Sequence, residues 1–390
     1  MTSKTRDAAP DVIRGFALLG ILIVNIQYMA FAAEELTSKW VTGFANAATA
    51  FLISTFFSGK FYLLFSLMYG YSSSYIVKGD KKNVKRWLYR CLFFIVFGFT
   101  HAILLWDGDI LFWYGVFGLL LTFFFFRSDK ALKRWNVGIF SLTNLALILI
   151  LIVIAFVITQ AMGTTNVSEV KNEPLDSIMR SGTFVEAMHA RFDLWRQSAS
   201  SALILHAGTA FSAFLLGIRL ARKKYFSSLF DRPKNKKLLL IGLFIGLPIE
   251  IGAGLIFVSN LQSVAGSENI NTAATILCFL VAPLLTYVYV QGLLKLIEIR
   301  PQLVMWMAPA GRMSLTTYIG QSVIASLIFG PWGLGLFQKL QLWEVEIVAV
   351  GIWIVQIKAA RVWLTKFSKG PLEMLLGKVT NRKVTATSGL

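Results

Sequence analysis

Long apolar runs separated by short polar segments dominate this chain of 390 residues. Most runs approach the ~20 residues that a helix needs to cross a bilayer, and hydrocarbon offers the backbone no other hydrogen-bond partner. The pattern predicts an all-α integral membrane protein, a polytopic bundle of about ten transmembrane helices in a single domain, 1–390. The predicted spans lie near 12–33, 60–78, 91–106, 110–126, 137–160, 201–219, 238–258, 272–294, 314–330 and 343–358.

Three segments depart from this simple alternation. Residues 44–78 are too long for one crossing and are interrupted at Gly59, so 44–58 is interpreted as an interfacial or re-entrant helix. The tripeptide 107–109 predicts a tight hairpin between the third and fourth spans. Residues 161–200 are rich in charge and predict an extracytoplasmic cap of short helices.

Composition and charge support a membrane location for the chain. It is 56% hydrophobic and only 15% charged, which is too apolar for a soluble domain. The net charge of +18 does not indicate a nucleic-acid partner, because the basic residues form short clusters between apolar runs. Both termini are predicted to be cytoplasmic, with 359–390 as a cytoplasmic tail. The predicted cytoplasmic segments hold all but seven of the 38 Lys and Arg, and they are 1–14, 78–90, 127–136, 219–237, 295–312 and 358–390.

Metal binding and disulfide formation are not expected from the cysteines. The chain has two, Cys91 and Cys278, and each lies in or beside an apolar run, where cysteine usually acts as a small buried hydrophobe. We therefore expect no metal. The apolar spans imply membrane lipids as partners. The sequence leaves a homodimer open.

Polar residues within the spans form three clusters, and the first lies in the first span. Asp11 and Arg14 are three residues apart and can pair on one helix face, with Asn25 farther along the same span. Arg14 and Asn25 are candidates for binding a cofactor. A simple ion pair that extends to the membrane surface is the alternative.

The second cluster surrounds His101 in the third span. Asp107 and Asp109 follow it in the hairpin turn, and a carboxylate could orient the imidazole as a general base. These three residues are the catalytic candidates. Their spacing does not place them on one face of a straight helix, so contact depends on how the turn folds. A hydrogen-bonded core histidine and Asp109 as an N-cap are the alternatives.

The remaining candidates lie in later spans. Glu250, read as the sole intramembrane acid, and His206 could belong to a substrate or proton path, together with Gln321. Arg312 precedes the ninth span, where Ser314 is a plausible N-cap, and a helix N-terminus beside an arginine suits an anion. Arg312 could equally be a positive-inside anchor.

Five stretches resemble the YeiB-type family of bacterial membrane proteins, long described as a domain of unknown function. They occur in the same order along nearly the whole chain, apart from the cap and 219–310. The stretches are DVIRGFALLGILIVNI at 11–26, SGKFYLLFSLMYGY at 58–71, GFTHAILLWDGDILFWYG at 98–115, GRMSLTTYIGQS at 311–322 and GPLEMLL at 370–376. This resemblance implies the bacterial cytoplasmic (plasma) membrane.

The family is distantly similar to membrane acyltransferases that include heparan-α-glucosaminide N-acetyltransferase. The similarity rests on the first span, where this sequence has the pattern D-x-x-R-G followed by V-N at 24–25. It implies a cytoplasmic acyl-CoA donor and a small-molecule acceptor on the outer side. The glycosaminoglycan enzyme uses a histidine in the loop after its first span, but residues 34–43 contain none, so His101 is the expected substitute.

These observations predict a membrane-embedded acyltransferase. It would move an acyl group, with acetyl expected, from cytoplasmic acyl-CoA to an extracytoplasmic or exported acceptor. Arg14 and Arg312 would neutralise phosphates of the donor. The alternative is a proton-coupled transporter or exporter of a small molecule, in which Glu250, His101 and His206 would carry protons and no covalent chemistry would occur.

Overall fold

The computed structural model describes residues 8–32, 41–161, 174–227, 235–263 and 266–380, and the side chains of 160–161, 174 and 198–206 lie outside this description. Within these residues the chain is helical and has no β-strand, which confirms the predicted fold class. The helices are α1 (Ala9–Ala30), α2 (Phe44–Leu52), α3 (Lys60–Val77), α4 (Val84–Leu104), α5 (Leu111–Leu121), α6 (Asp129–Ala161), α7 (Pro174–Ser181), α8 (Phe184–Arg222), α9 (Lys236–Ile241), α10 (Leu247–Gln262), α11 (Glu268–Ile299), α12 (Ala308–Arg312), α13 (Ser314–Phe329), α14 (Leu342–Lys366) and α15 (Pro371–Thr380).

Seven helical segments of the described chain are long and apolar enough to cross a membrane. They are Ala9–Ala30, Phe44–Val77, Lys81–Leu104, Asp129–Thr159, Lys236–Gln262, Glu268–Ile299 and Leu342–Lys366. Two shorter apolar helices, α5 and α13, cover the predicted fourth and ninth spans, and α8 contains the predicted sixth.

The centre and the periphery of the bundle differ as a membrane protein requires. Helix α1 is largely buried and packs against α3, α12, α13 and α14. Helix α6 packs mainly on α8 and presents large apolar side chains outward, including Leu142 (69% exposed) and Phe156 (63% exposed). Apolar surface of this extent would be unfavourable in water and suits a hydrocarbon solvent.

The segment 44–77 is broken where the sequence predicted. Helix α2 continues into a π-helical turn at Ile53–Phe57, and the backbone then bends at Gly59, whose φ of 80° lies in the left-handed region. A side chain is strained in that region, so glycine suits the break. A second π-turn, Gly242–Gly246, joins α9 to α10.

Two predicted boundaries are corrected by the structure. The cap is not built only of short helices, because α8 runs unbroken for 39 residues from the cap into the predicted sixth span. The first part of this helix is charged and the later part is apolar, but no residue between them ends the helix. The predicted span 110–126 is helical only over α5, 11 residues or about 16 Å. This is about half the thickness of a bilayer core, and residues 122–126 continue as turns.

The C-terminal part also differs from a simple tail. Helix α14 continues to Lys366, eight residues past the predicted end of the tenth span. Helix α15 then packs against α4 and α13, with Leu376 buried. This short helix covers one end of the bundle.

Candidate functional site

The hairpin between α4 and α5 brings His101 and Asp109 together. His101 lies in the last turn of α4, and its Nδ1 is 2.8 Å from Oδ1 of Asp109. The other carboxylate oxygen of Asp109 accepts a hydrogen bond from the Phe112 backbone N–H (2.7 Å), which caps the start of α5. Asp109 therefore contacts both the imidazole and the first turn of α5, although Ile110 holds the N-cap position. Both side chains are buried, with His101 3% exposed.

The second nitrogen of the imidazole, Nε2, is buried and has no hydrogen-bond partner among the described residues. A neutral imidazole has one donor and one acceptor nitrogen, and the tautomer decides which is which. The hydroxyl of Tyr318, on α13, donates to Asp109 Oδ1 (3.5 Å), and its ring lies 5.3 Å from the imidazole.

A cavity of about 180 Å³ lies beside this group and shares Tyr318 with it, but His101 and Asp109 do not line the cavity. Its apolar walls come from α3, α4, α5 and α13, and its charged residues are Arg14, Arg90, Arg312 and Glu373. Three arginines and one glutamate therefore line the cavity. The aromatic walls are Phe65, Tyr69, Trp87, Phe94, Tyr114 and Tyr318.

Close packing of α1 against α12 positions Arg14 near Arg312. Arg14 pairs with Asp11 (2.8 Å), as the sequence predicted, and donates to the Ser72 hydroxyl (2.6 Å) on α3. A Cβ added at Gly311 would overlap the backbone carbonyl of Asp11. The glycine in the GRMS motif therefore allows the two helices to approach at the level of the cavity.

Two cavity residues were not predicted from the sequence. Arg90 lies on α4 with its guanidinium 4.7 Å from the Phe94 ring, and its Nε is buried without a hydrogen-bond partner among the described residues. Glu373 lies on α15 and was only part of a quoted motif. Arg90 directly precedes the predicted third span, 91–106, where several basic residues occur. Nothing in the sequence indicates that this one lines a cavity.

Glu373 also corrects the predicted anion site at α13. Ser314 is not the N-cap, since Met313 holds that position without a side-chain cap. The Glu373 carboxylate accepts hydrogen bonds from the backbone N–H of Leu315 (2.7 Å) and Thr316 (3.2 Å). Arg312 donates to the Ser368 carbonyl (2.9 Å) and keeps its Nε buried without a partner. The protein thus supplies its own anion to the helix N-terminus.

A second, smaller cavity of about 30 Å³ lies on the other side of the hairpin, under the cap. Asp107 lines it with Asp176, Trp106 and Arg191, and so faces away from the His101–Asp109 pair. Arg191 donates to the Leu104 carbonyl (3.0 Å) at the end of α4. Burial lowers the pKa of Arg191 to about 10, opposed by the charge of Asp107.

The other predicted residues lie apart from this site. Asn25 is half-buried about three turns along α1 from Arg14 and does not line the cavity. Gln321 donates to the Leu18 carbonyl (3.2 Å) and joins α13 to α1. The side chain of His206, on α8, is outside the described residues.

Glu250 has a partner that the sequence analysis placed elsewhere. It forms an ion pair with Lys60 (2.6 Å), and both side chains are 0% exposed. Residue 60 was predicted at the start of the second span and given no partner, whereas α3 begins at Lys60 after the bend at Gly59 and its side chain is buried beside Glu250. Glu250 is also not the sole buried acid, since both carboxylate oxygens of Glu346 in α14 are buried without a partner among the described residues.

These features define the class: a polytopic α-helical membrane protein with an arginine-lined cavity and, beside it, a buried histidine–carboxylate pair. The comparisons support a YeiB-type family of unknown function, as the motifs of the chain predicted. Residues 220–383 match the family described as "Protein of unknown function (DUF418)".

Two relatives match over almost their whole length. "Uncharacterized protein YxaH" of Bacillus subtilis is 29% identical over 95% of this chain and 93% of its own. "Uncharacterized protein YeiB" of Escherichia coli is 26% identical over 97% of each chain. No solved structure matches significantly. The comparisons and the fold therefore indicate a family of membrane proteins, and the site is the feature that bears on function.

Proposed function

We propose that the protein is a membrane-embedded acyltransferase, which moves an acyl group, with acetyl expected, from cytoplasmic acyl-CoA to a hydroxyl or amine of an extracytoplasmic or exported acceptor. One observation carries the proposal. The His101 imidazole is held by Asp109 at Nδ1, while Nε2 is buried and has no partner among the described residues. This is the arrangement that a general base requires.

The cavity suits the donor. A phosphate-bearing ligand needs cations and hydrogen-bond donors, and Arg90 and Arg312 each line the cavity with a buried Nε that has no acceptor among the described residues. Arg14 adds a third charge beside them. Guanidinium groups bind phosphate oxygens in a fixed geometry, so these side chains would hold the phosphates of coenzyme A. Bound there, acyl-CoA would supply an activated thioester.

His101 would remove the acceptor's proton through Nε2. The acceptor oxygen or nitrogen would then form a bond to the acyl carbon as the carbon–sulfur bond breaks. The imidazolium would return its proton to the departing thiolate, and Asp109 would stabilise the positive charge in the meantime. The smaller cavity on the far side of the hairpin, lined by Asp107 and Trp106, offers the acceptor a separate approach.

The sidedness of this scheme follows from charge. The cavity opens among the basic segments that the positive-inside rule assigns to the cytoplasm of a bacterial plasma membrane. A cysteine placed at Gly108 should therefore react with an impermeant maleimide added outside intact cells and not with reagent confined inside. Labelling from the cytoplasmic side alone would invert the arrangement.

The function is tested with purified protein in nanodiscs. Binding of coenzyme A is measured by calorimetry, and transfer from radiolabelled acetyl-CoA is measured with an envelope extract as acceptor. His101→Ala should abolish transfer and retain coenzyme A binding. His189→Ala, which removes an exposed histidine of the cap, is the matched control and should retain both. Absence of coenzyme A binding by the wild type would refute the proposal.

The buried Lys60–Glu250 pair favours a second candidate, a proton-coupled transporter or exporter. Ionisable groups at membrane depth often mark proton routes. The two functions separate cleanly, because a transporter should move its substrate in sealed vesicles without any acyl donor. An acyltransferase should show no turnover under the same condition.

A further inference from the structure

The strongest feature outside the cavity is the ion pair between Lys60 and Glu250. Nζ and Oε2 are 2.6 Å apart, and neither side chain is exposed at all. Desolvating two charges is costly, and their attraction offsets that cost only while both are charged and in contact. If either partner becomes neutral, the other is left as an isolated charge in a medium of low dielectric constant. The contact is therefore stable in one protonation state only.

Both helices that supply the pair are irregular next to it. Lys60 begins α3 directly after the bend at Gly59 and the π-turn Ile53–Phe57. Glu250 follows the π-turn Gly242–Gly246 and Pro248. Irregular backbone at membrane depth is tolerated where it is buried in protein, and π-turns occur frequently at functional sites. Two such irregularities meet at one ion pair.

The lysine ammonium also completes the broken helix. Nζ donates to the Ser54 carbonyl (3.3 Å), which belongs to the π-turn, as well as to Glu250. Thr286 of α11 donates to the Lys60 carbonyl (3.2 Å). The ammonium thus lies between a backbone carbonyl and a carboxylate, as a bound cation does in the discontinuous helices of transporters. Here the cation is tethered to the chain.

We propose that Lys60 and Glu250 form a proton-sensitive latch, which closes the bend at 53–60 when both are charged and releases it when Glu250 is protonated. This latch would operate whichever of the two functions holds. The titratable groups that face Glu250 within the described residues are Lys60, Cys278 and Tyr289. Of these only Lys60 is a cation, so no other described group would hold the carboxylate charged.

Hydrogen–deuterium exchange of the full chain in nanodiscs tests the latch. Amide protection in residues 53–61 is measured from about pH 8 to about pH 5, with the intrinsic exchange rate divided out at each pH. The protection factor should fall by about tenfold or more towards low pH. A tenfold change in the opening equilibrium corresponds to a difference of one pKa unit between the closed and the open state. Residues 13–26 of α1 serve as an internal control and should keep constant protection.

Variants separate a latch from a passive pair. Glu250→Gln mimics the protonated acid and should show low protection at every pH. The double variant Lys60→Met with Glu250→Leu removes both charges and should show protection that does not change with pH. Constant protection of the wild type over this range would overturn the proposal, even if a variant fails to fold.

Discussion

Glu373 allows the sharpest prediction, because its carboxylate has two roles that respond oppositely to its removal. It caps α13 through the backbone N–H groups of Leu315 and Thr316, and it also accepts from the Thr316 hydroxyl (2.6 Å). At the same time it is the only carboxylate among the described residues that line the cationic cavity. We expect Glu373→Gln to weaken the docking of α15 and to strengthen anion binding.

The expected magnitudes follow from these contacts. Glutamine keeps one acceptor oxygen but loses the charge, so docking of α15 should weaken by about 1–2 kcal/mol, comparable to the loss of an N-cap. Exchange of the amides in 371–380 should accelerate about five- to thirtyfold. Removing a negative charge roughly 8 Å from a bound phosphate should contribute about 1–2 kcal/mol at an effective dielectric constant of about 20–40. The Kd for coenzyme A should fall by a similar factor.

Two measurements on each variant check the reasoning. Hydrogen exchange reports the docking of α15, and calorimetry at constant ionic strength reports the affinity for coenzyme A. Glu344→Gln is the matched control, because Glu344 caps α14 through the Gln341 backbone N–H (2.7 Å) but does not line the cavity. Faster exchange in α15 without tighter binding would show that the Glu373 carboxylate does not compete with the ligand.

Three further substitutions have defined outcomes. Gly311→Ala should destabilise the protein by about 1–3 kcal/mol in thermal unfolding, because its Cβ overlaps the Asp11 carbonyl, whereas Gly292→Ala, with open space around it, should not. Asp109→Asn retains a cap for α5 but should lower acyl transfer by about 100-fold, since the charge that orients His101 is lost. Trp353→Phe should cost about 0.5–1.5 kcal/mol in the same unfolding assay, because it removes the buried hydrogen bond from the indole N–H to the Gly15 carbonyl.

The sequence predicted the features that depend on local composition. Apolar length located the helices, and the polar residues of the first span and of the hairpin were identified as candidates. The pairing of His101 with Asp109 was left open, because it depends on how the turn at 107–109 folds. Helix α5 ends at Leu121, but apolar residues continue past that point, so the sequence gives no signal of the helix end.

The features that the sequence did not predict are contacts between distant segments. Lys60 and Glu250 are 190 residues apart, and a lysine beside a glycine is typical of an ordinary loop. Glu373 lies 57 residues or more from the amides that it caps. A single sequence carries the chemical types of these residues but not their distances, so the cavity could be predicted only in part.

The latch and the cavity share α3, and this arrangement leads to a last prediction. Lys60 begins the helix, and Phe65, Met68, Tyr69 and Ser72 of the same helix form a wall of the cavity. If α3 moves as a rigid element, coenzyme A in the cavity should change amide protection at 53–61. By linkage, protonation of the latch must then change the affinity for coenzyme A by the same factor. Amide protection at 53–61 in the absence of ligand could fall at low pH while the affinity for coenzyme A stays constant. That result would show that the two sites are independent and that α3 does not move as a rigid element.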